Sequence, residues 1–236
     1  MIEFIFMLTR DDETLADARD VYASISGSGV RHVGCKDVGL PHDELRGLMS
    51  DIKANSHTTH LEVVSESEEA TLASARAAAE IGPDYVIGGT LIEPVQEILA
   101  GTGIKFFPYV GRIVGHPCLL RGSIAEIAED ARRAEALGVD GINLLAYRYD
   151  GDVDALVEAV VAATSLPVIA AGSVDSAERI GSLEQRGVWA FTIGTAALDG
   201  ALLPGKPLEA QLRYALDAAV SEGGGAPAGT PSSGDA

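Results

Sequence analysis

Hydrophobic and polar positions along the chain repeat one theme. In five places an amphipathic, helix-like stretch ends on a glycine, and within one or two residues the chain enters a short apolar run: Gly29 before VRHVGC, Gly82 before PDYVIGG, Gly103 before IKFFPY, Gly138 before VDGINLLAY and Gly187 before VWAFTIG. Glycine is the favoured left-handed residue just past a helix C-terminus, and a nearly unbroken run of Val, Ile, Phe and Ala suits a strand covered on both faces. Three further runs, IEFIFML at the start, THLEVV at 59–64 and LPVIAA at 166–171, complete a set of eight strands. Each precedes a segment able to form a helix, among them DDETLADARDVYASIS, SEEATLASARAAAEI, SIAEIAEDARRAEAL and DVDALVEAVVAAT. Ser123 with Glu126, and Asp175 with Glu178, have capping-box spacing.

Strict strand–helix alternation predicts the α/β class and a (β/α)8 barrel, one domain over residues 1–222. A doubly wound open sheet is the alternative, but the G-x-G-x-x-G expected after its first strand is absent. Residues 223–236, GGGAPAGTPSSGDA, offer nothing to bury and are expected to be disordered.

Composition narrows the picture. A chain of 236 residues can bury roughly 70–75% of its unfolded surface. The formal charge of −18 argues against nucleic acid or an anionic membrane as partner, so an anionic ligand must be held by local donors. Cys35 and Cys118 sit in no metal or redox spacing and fit a reducing compartment. The opening MIEFIFMLTRDD is too short to span a membrane and carries Glu3, so it reads as a first strand of a cytoplasmic protein.

In barrels of this kind chemistry sits at the C-terminal strand ends, and the loops after strands 7 and 8 often hold phosphate. Here those loops are AAGSVDSAERI and TIGTAALDG, where Gly172, Ser173, Gly194 and Thr195 supply close backbone approach and hydroxyl donors. Ordinary strand-to-helix turns would explain either loop alone. On the paired AAGSVDS and FTIGTA the chain resembles the ribulose-phosphate-binding barrels, the superfamily of the phosphoribosyl isomerases of histidine and tryptophan synthesis. That resemblance implies a phosphorylated small-molecule ligand. The sugar-phosphate isomerases of the group carry Asp with Asp or Cys at the ends of strands 1 and 5, whereas these ends read MLTRDD and FFPYVGRIVGHP, which do not reproduce the pattern. The chain is also similar to short bacterial proteins labelled 4-hydroxythreonine-4-phosphate dehydrogenase. Membership of that enzyme family would imply a three-histidine metal site and NAD. His32, His42, His57, His60 and His116 show no such arrangement, and the label is not supported.

Alternation of strand faces assigns the interior. Lys36 after Gly34, Glu62 with Val64, Tyr109, Asn143 with Leu145 and Tyr147, and Thr192 turn inward, with Lys105 low in the barrel. A buried lysine beside a glutamate must pair or act, and desolvation can bring its pKa down toward proton-transfer or Schiff-base range. A structural Lys36–Glu62 or Lys105–Glu62 ion pair is the competing reading. Asp37, of opposite phase, belongs to the rim. The long loop VGRIVGHPCLLRGS offers Arg112 as an anion binder and His116 as acid or base, and Arg148 lies in the loop after strand 6.

The expectation is therefore a lyase, aldolase or isomerase with no metal and no cofactor, acting on a small phosphorylated metabolite through an enol or enamine. Its catalytic candidates are Lys36, Glu62, His116 and Tyr147, and its binding candidates Arg112, Arg148, Gly172, Ser173, Gly194 and Thr195. A homo-oligomer is possible, and a non-catalytic phosphometabolite sensor on the same barrel is the alternative.

Overall fold

The computed structural model describes residues 1–220 apart from Ser26, Glu66 and His116. The expected tail at 223–236 and the role assigned to His116 lie outside the described residues. Eight parallel strands form one sheet: β1 Glu3–Met7, β2 His32–Lys36, β3 Thr58–Val63, β4 Tyr85–Gly88, β5 Lys105–Phe107, β6 Ile142–Leu144, β7 Val168–Ala170 and β8 Ala190–Ile193. The helices are α1 Ala18–Ile25, α2 His42–Ala54, α3 Glu68–Ile81, α4 Ile92–Leu99, α5 Ile124–Ala136, α6 Val153–Ala163, α7 Ala177–Gln185, α8 Thr195–Leu198 and α9 Leu208–Val220.

Strand order in the sheet is β6-β7-β8-β1-β2-β3-β4-β5. A parallel bridge from Tyr109 to Asn143 and the bond from Asn143 N–H to Pro108 O at 2.9 Å join β5 to β6, closing the circle. Closure, with β8 paired to β1, rules out the open doubly wound sheet and gives the (β/α)8 barrel. All five repeat glycines have φ between 74° and 87°, as left-handed helix exits require.

Strand alternation divides the apolar residues into two sets. One lies between the barrel and its helices, with Phe4, Phe6, Val33, Cys35, Leu61 and Leu144 facing α-helical partners such as Leu48, Ile52 and Leu156. The other fills the barrel axis: Ile5, Met7, Ile87, Phe107, Ile169 and Ala190, with Tyr85 and Trp189 against them. Phe107 fits only because Gly141 has no side chain, since a Cβ there would lie 2.0 Å from the phenyl ring. Each such buried side chain contributes about 1.5–3 kcal/mol of transfer free energy.

Four local expectations change. The stretch 11–26 does not begin a helix at Asp11. Thr9–Arg10 and Glu13–Thr14 instead form a hairpin around a two-residue turn, and α1 starts at Ala18. The cap of α7 is Ser176, accepting from Arg179 N–H, rather than Asp175; the Ser123–Glu126 capping box does form on α5. Val64 belongs to the outer core because β3 ends at Val63, and its N–H donates to Asp37 Oδ1 at 3.0 Å. Lys105 is exposed at the barrel's N-terminal end, with its ammonium 5.3 Å from the Tyr85 ring centroid, and forms no pair with Glu62. Among the described residues no helix is long and apolar enough to cross a membrane.

Candidate active site

Lys36 is the last residue of β2, and the hairpin at 9–14 is fastened to it. Thr14 Oγ1 accepts from Lys36 N–H at 2.8 Å and donates to Lys36 O at 2.9 Å. That clamp hangs the turn Asp11–Asp12 over the mouth of the barrel. Both turn residues are left-handed, with φ of 51° and 65°, the pattern of a type I′ hairpin, which Asp tolerates better than most residues.

Asp12 is 5% exposed and receives donors from three directions. Lys36 Nζ donates to Oδ1 at 2.6 Å, Arg148 grips both oxygens with Nη2–Oδ1 at 2.7 Å, and Cys118 N–H donates to Oδ2 at 3.1 Å. Burial pushes the Asp12 carboxyl upward, but Arg148 and Lys36 prevail and hold it well below the usual carboxylate range. Glu62, 3% exposed on β3, stands 3.4 Å from Lys36 Nζ. Its Oε1 accepts from the Tyr109 hydroxyl at 2.6 Å and from Asn143 Nδ2 at 3.5 Å. Burial, then Glu62, raises the Tyr109 hydroxyl far above its ordinary pKa, so it remains a donor.

Two carboxylates and two cations thus share a buried cluster. Burial alone would pull the Lys36 ammonium down, yet Glu62 and Asp12 more than offset it and its pKa is raised. The direction is opposite to the fall expected from desolvation, because of Glu62 and then of Asp12, which reading the chain had assigned to a helix.

Cluster and glycine loops line one cavity of about 400 Å³, which contains Lys36, Glu62, Asp12, Tyr109, Cys118, Arg148, Gly172, Ser173, Thr192, Gly194 and Thr195. Gly172 and Ser173 are left-handed, with φ of 79° and 58°. A Cβ on Gly172 would lie 2.9 Å from Arg148 Cγ, and one on Gly194 2.6 Å from Thr9 O, so both glycines are needed for the close packing of the loops around the mouth.

Of the other candidates, Tyr147 lines the cavity, but β6 gives way to a 3-10 turn at Ala146–Arg148 that breaks the alternation. Its hydroxyl donates to Arg179 O at 3.3 Å, and the Arg179 guanidinium lies over its ring, so it faces α7 rather than Lys36. Arg112 is exposed on a second hairpin, Arg112–Val114 with Leu119–Arg121, and does not line this cavity. Arg148 reaches the cavity and is committed to Asp12. Reading along the chain missed Asp12 and Cys118, which bring an Asp from the loop after β1 and a Cys from the loop after β5 into contact. Burial raises the Cys118 thiol to about 11. The hairpin did carry a signal: Arg10 and Glu13 are opposite charges, flanked by Thr9 and Thr14, about a two-residue acidic turn. Nothing marked Cys118. Among the described residues no group of three His, Cys, Asp or Glu side chains is placed to hold a metal ion.

No family model matches the chain, and no curated protein matches it in sequence. Solved structures do match in fold. The chain is similar to orotidine 5′-phosphate decarboxylase from Pyrococcus horikoshii, with TM-score 0.68 and 12% identity over 93% of this chain and 100% of that one. It is similar to thiamine phosphate pyrophosphorylase from Pyrococcus furiosus, with TM-score 0.62 and 13% identity over 92% and 95% of the two chains. A third is (S)-3-O-geranylgeranylglyceryl phosphate synthase from Thermoplasma acidophilum, in complex with sn-glycerol-1-phosphate, with TM-score 0.61 and 14% identity over 92% of each chain. The resemblance to the ribulose-phosphate-binding barrels therefore holds at the level of fold.

Proposed function

We propose that the chain is an enzyme acting on a small phosphorylated metabolite, making or breaking a carbon–carbon bond or moving a proton through an enolate. One observation carries this reading: the glycine loops after β7 and β8 and the Lys36–Glu62 pair line the same cavity. Phosphate rests on backbone N–H groups near Gly172, Ser173, Gly194 and Thr195, with the Thr195 hydroxyl as a further donor. That the solved structures named above act on phosphate compounds, by their names, supports the same ligand class.

Phosphate bound there directs a neighbouring carbonyl toward Lys36. Glu62 takes a proton from the carbon beside that carbonyl, the C–H electrons form the enol double bond, and the carbonyl pair moves onto oxygen. The Lys36 ammonium stabilises the resulting enolate. Its raised pKa favours this electrostatic role over a Schiff base, which needs the neutral amine. Asp12 and Arg148 position the ammonium.

The test begins with a thermal-shift panel of phosphorylated sugars, ketones and keto acids, followed by solvent-deuterium exchange measured by NMR on each stabilising compound. Exchange at the carbon beside the carbonyl is expected, reduced about 10²–10³-fold in Glu62→Gln and Lys36→Met, with no borohydride-trapped adduct. A panel in which no phosphorylated compound stabilises the protein overturns the reading. A second reading, a binding or sensor protein, is favoured by the commitment of Lys36 and Arg148 to Asp12. It requires stabilisation without exchange.

A further inference from the structure

A second cavity of about 320 Å³ opens on the same face of the barrel, beside the first and across from the glycine loops. Its walls are Val63 and Val64 at the end of β3, Ile113 and Val114 on the hairpin after β5, and the hydroxyl residues Ser65 and Thr90. Tyr109 and Cys118 line both cavities and form the divide between them.

The two cavities differ in what they can hold. Among the described residues no charged side chain lines the second. Three backbone donors around it are already used: Gly89 N–H bonds to Val63 O, Tyr109 N–H to Gly89 O, and Val64 N–H to Asp37 Oδ1. The Ser65 hydroxyl donates to Asp37 Oδ2 at 2.7 Å. An anion placed there would trade its hydration for a largely aliphatic lining, within a chain of formal charge −18. An uncharged, compact group loses little and gains contact with four branched aliphatic side chains.

We infer that this second cavity is the subsite for an uncharged aldehyde or ketone, the partner that the enolate in the first cavity attacks or, in reverse, the fragment released from it. The inference rests on the proposed enolate chemistry and selects its carbon–carbon bond-forming branch, because an isomerase acting on one short sugar phosphate has no use for a separate neutral chamber. In the forward direction the enolate carbon bonds to the carbonyl carbon, the carbonyl π pair moves onto oxygen, and that oxygen takes a proton. The Tyr109 hydroxyl stands at the divide and is hydrogen-bonded to Glu62, which holds the proton removed from the first substrate. The proton passes along that pair to the new alkoxide. Atoms and electrons balance with no oxidant or reductant.

The test uses the full chain with dihydroxyacetone phosphate as the enolisable probe and three carbonyl partners: propanal, 3-methylbutanal and glyoxylate. Adducts are expected with the neutral aldehydes and at least tenfold less with glyoxylate. Val114→Ala is expected to raise the ratio of 3-methylbutanal to propanal adduct severalfold, and Val114→Phe to lower it by a similar factor. Because the readout is a ratio within each variant, a loss of folded protein does not imitate it, and the two variants must move it in opposite directions. Deuterium exchange into the probe with no adduct overturns the subsite while leaving the enolate reading standing. Equal use of glyoxylate, or a ratio that neither variant moves, overturns it as well. Absence of exchange in the unaltered protein defeats the enolate reading itself, and the subsite falls with it.

Discussion

The two ends of one barrel solve the burial of polar groups in opposite ways. At the N-terminal floor, His60 is fully buried, shares a hydrogen bond of 3.0 Å with His32, and stacks on Tyr85 with ring centroids 4.6 Å apart. Trp189 and Phe107 complete a ring of aromatic contacts. No carboxylate touches His60, and its Nδ1 has no hydrogen-bond partner among the described residues. Burial, and secondarily His32, lowers its pKa to about 3, so the floor is neutral. At the C-terminal mouth three charges are buried together, Asp12, Lys36 and Glu62, with the half-buried Arg148 paired to Asp12. The same eight strands thus carry a plug that excludes charge and a cluster that keeps it by pairing. A neutral polar group can be buried at the cost of one unmet hydrogen bond, whereas a charge requires partners that, at the mouth, come from loops.

Three substitutions or conditions sharpen the contrast, in decreasing size of effect. Lys36→Met leaves two carboxylates facing one cation and is expected to destabilise by about 3–5 kcal/mol in urea unfolding at pH 7. Adding Glu62→Gln to that variant recovers a measurable part of the loss. If Lys36→Met unfolds with unchanged stability, the mouth is not a coupled cluster.

Acid separates the two ends. His60 has a folded pKa below its unfolded value of about 6.5, so its neutral form contributes stability that is complete above that pH and is lost as pH falls toward about 3. Asp12 is also held low, and its contribution, complete above about pH 3.9, is lost only below that value. Between pH 6.5 and 5 the unfolding free energy of the unaltered protein should fall with a contribution from His60 that steepens from about 0.7 to about 1.4 kcal/mol per pH unit, and His60→Phe should flatten the slope by that amount. An unchanged slope in the variant contradicts a neutral, buried His60. The smallest effect belongs to the rim of the floor: Lys105→Met, removing an exposed ammonium over Tyr85, should shift stability by less than about 1 kcal/mol at any pH.

Glycine followed by an apolar run marked five of the strands and three further apolar runs marked the rest, because burial of parallel strands on both faces writes itself as local composition. The alternation also placed Lys36, Glu62, Tyr109, Asn143 and Thr192 inside, since a period of two survives wherever a strand stays regular. It failed at Val64, one residue past the end of β3, and only in part at Tyr147, which lines the cavity but, inside the 3-10 turn Ala146–Arg148, turns its hydroxyl to Arg179. Asp12 was hidden for a different reason. An acidic pair before an amphipathic stretch reads as a helix start, and only the clamp from Thr14 to Lys36, set by tertiary contact, makes it a hairpin tip. The Cys118 contact had no local signature, because it depends on a loop folding back across the mouth.

The hairpin tip also bears on how the chain folds. Asp12 and Arg148 are separated by 136 positions, and their contact joins the loop after the first strand to the loop after the sixth. Contacts of such sequence separation form late, after the intervening chain has been ordered. The left-handed turn at Asp11 and Asp12, already held by Lys36, gains its Arg148 and Cys118 partners only at that moment. Organisation of the mouth is therefore tied to closure of the ring, so a partly assembled barrel has a floor before it has a working rim.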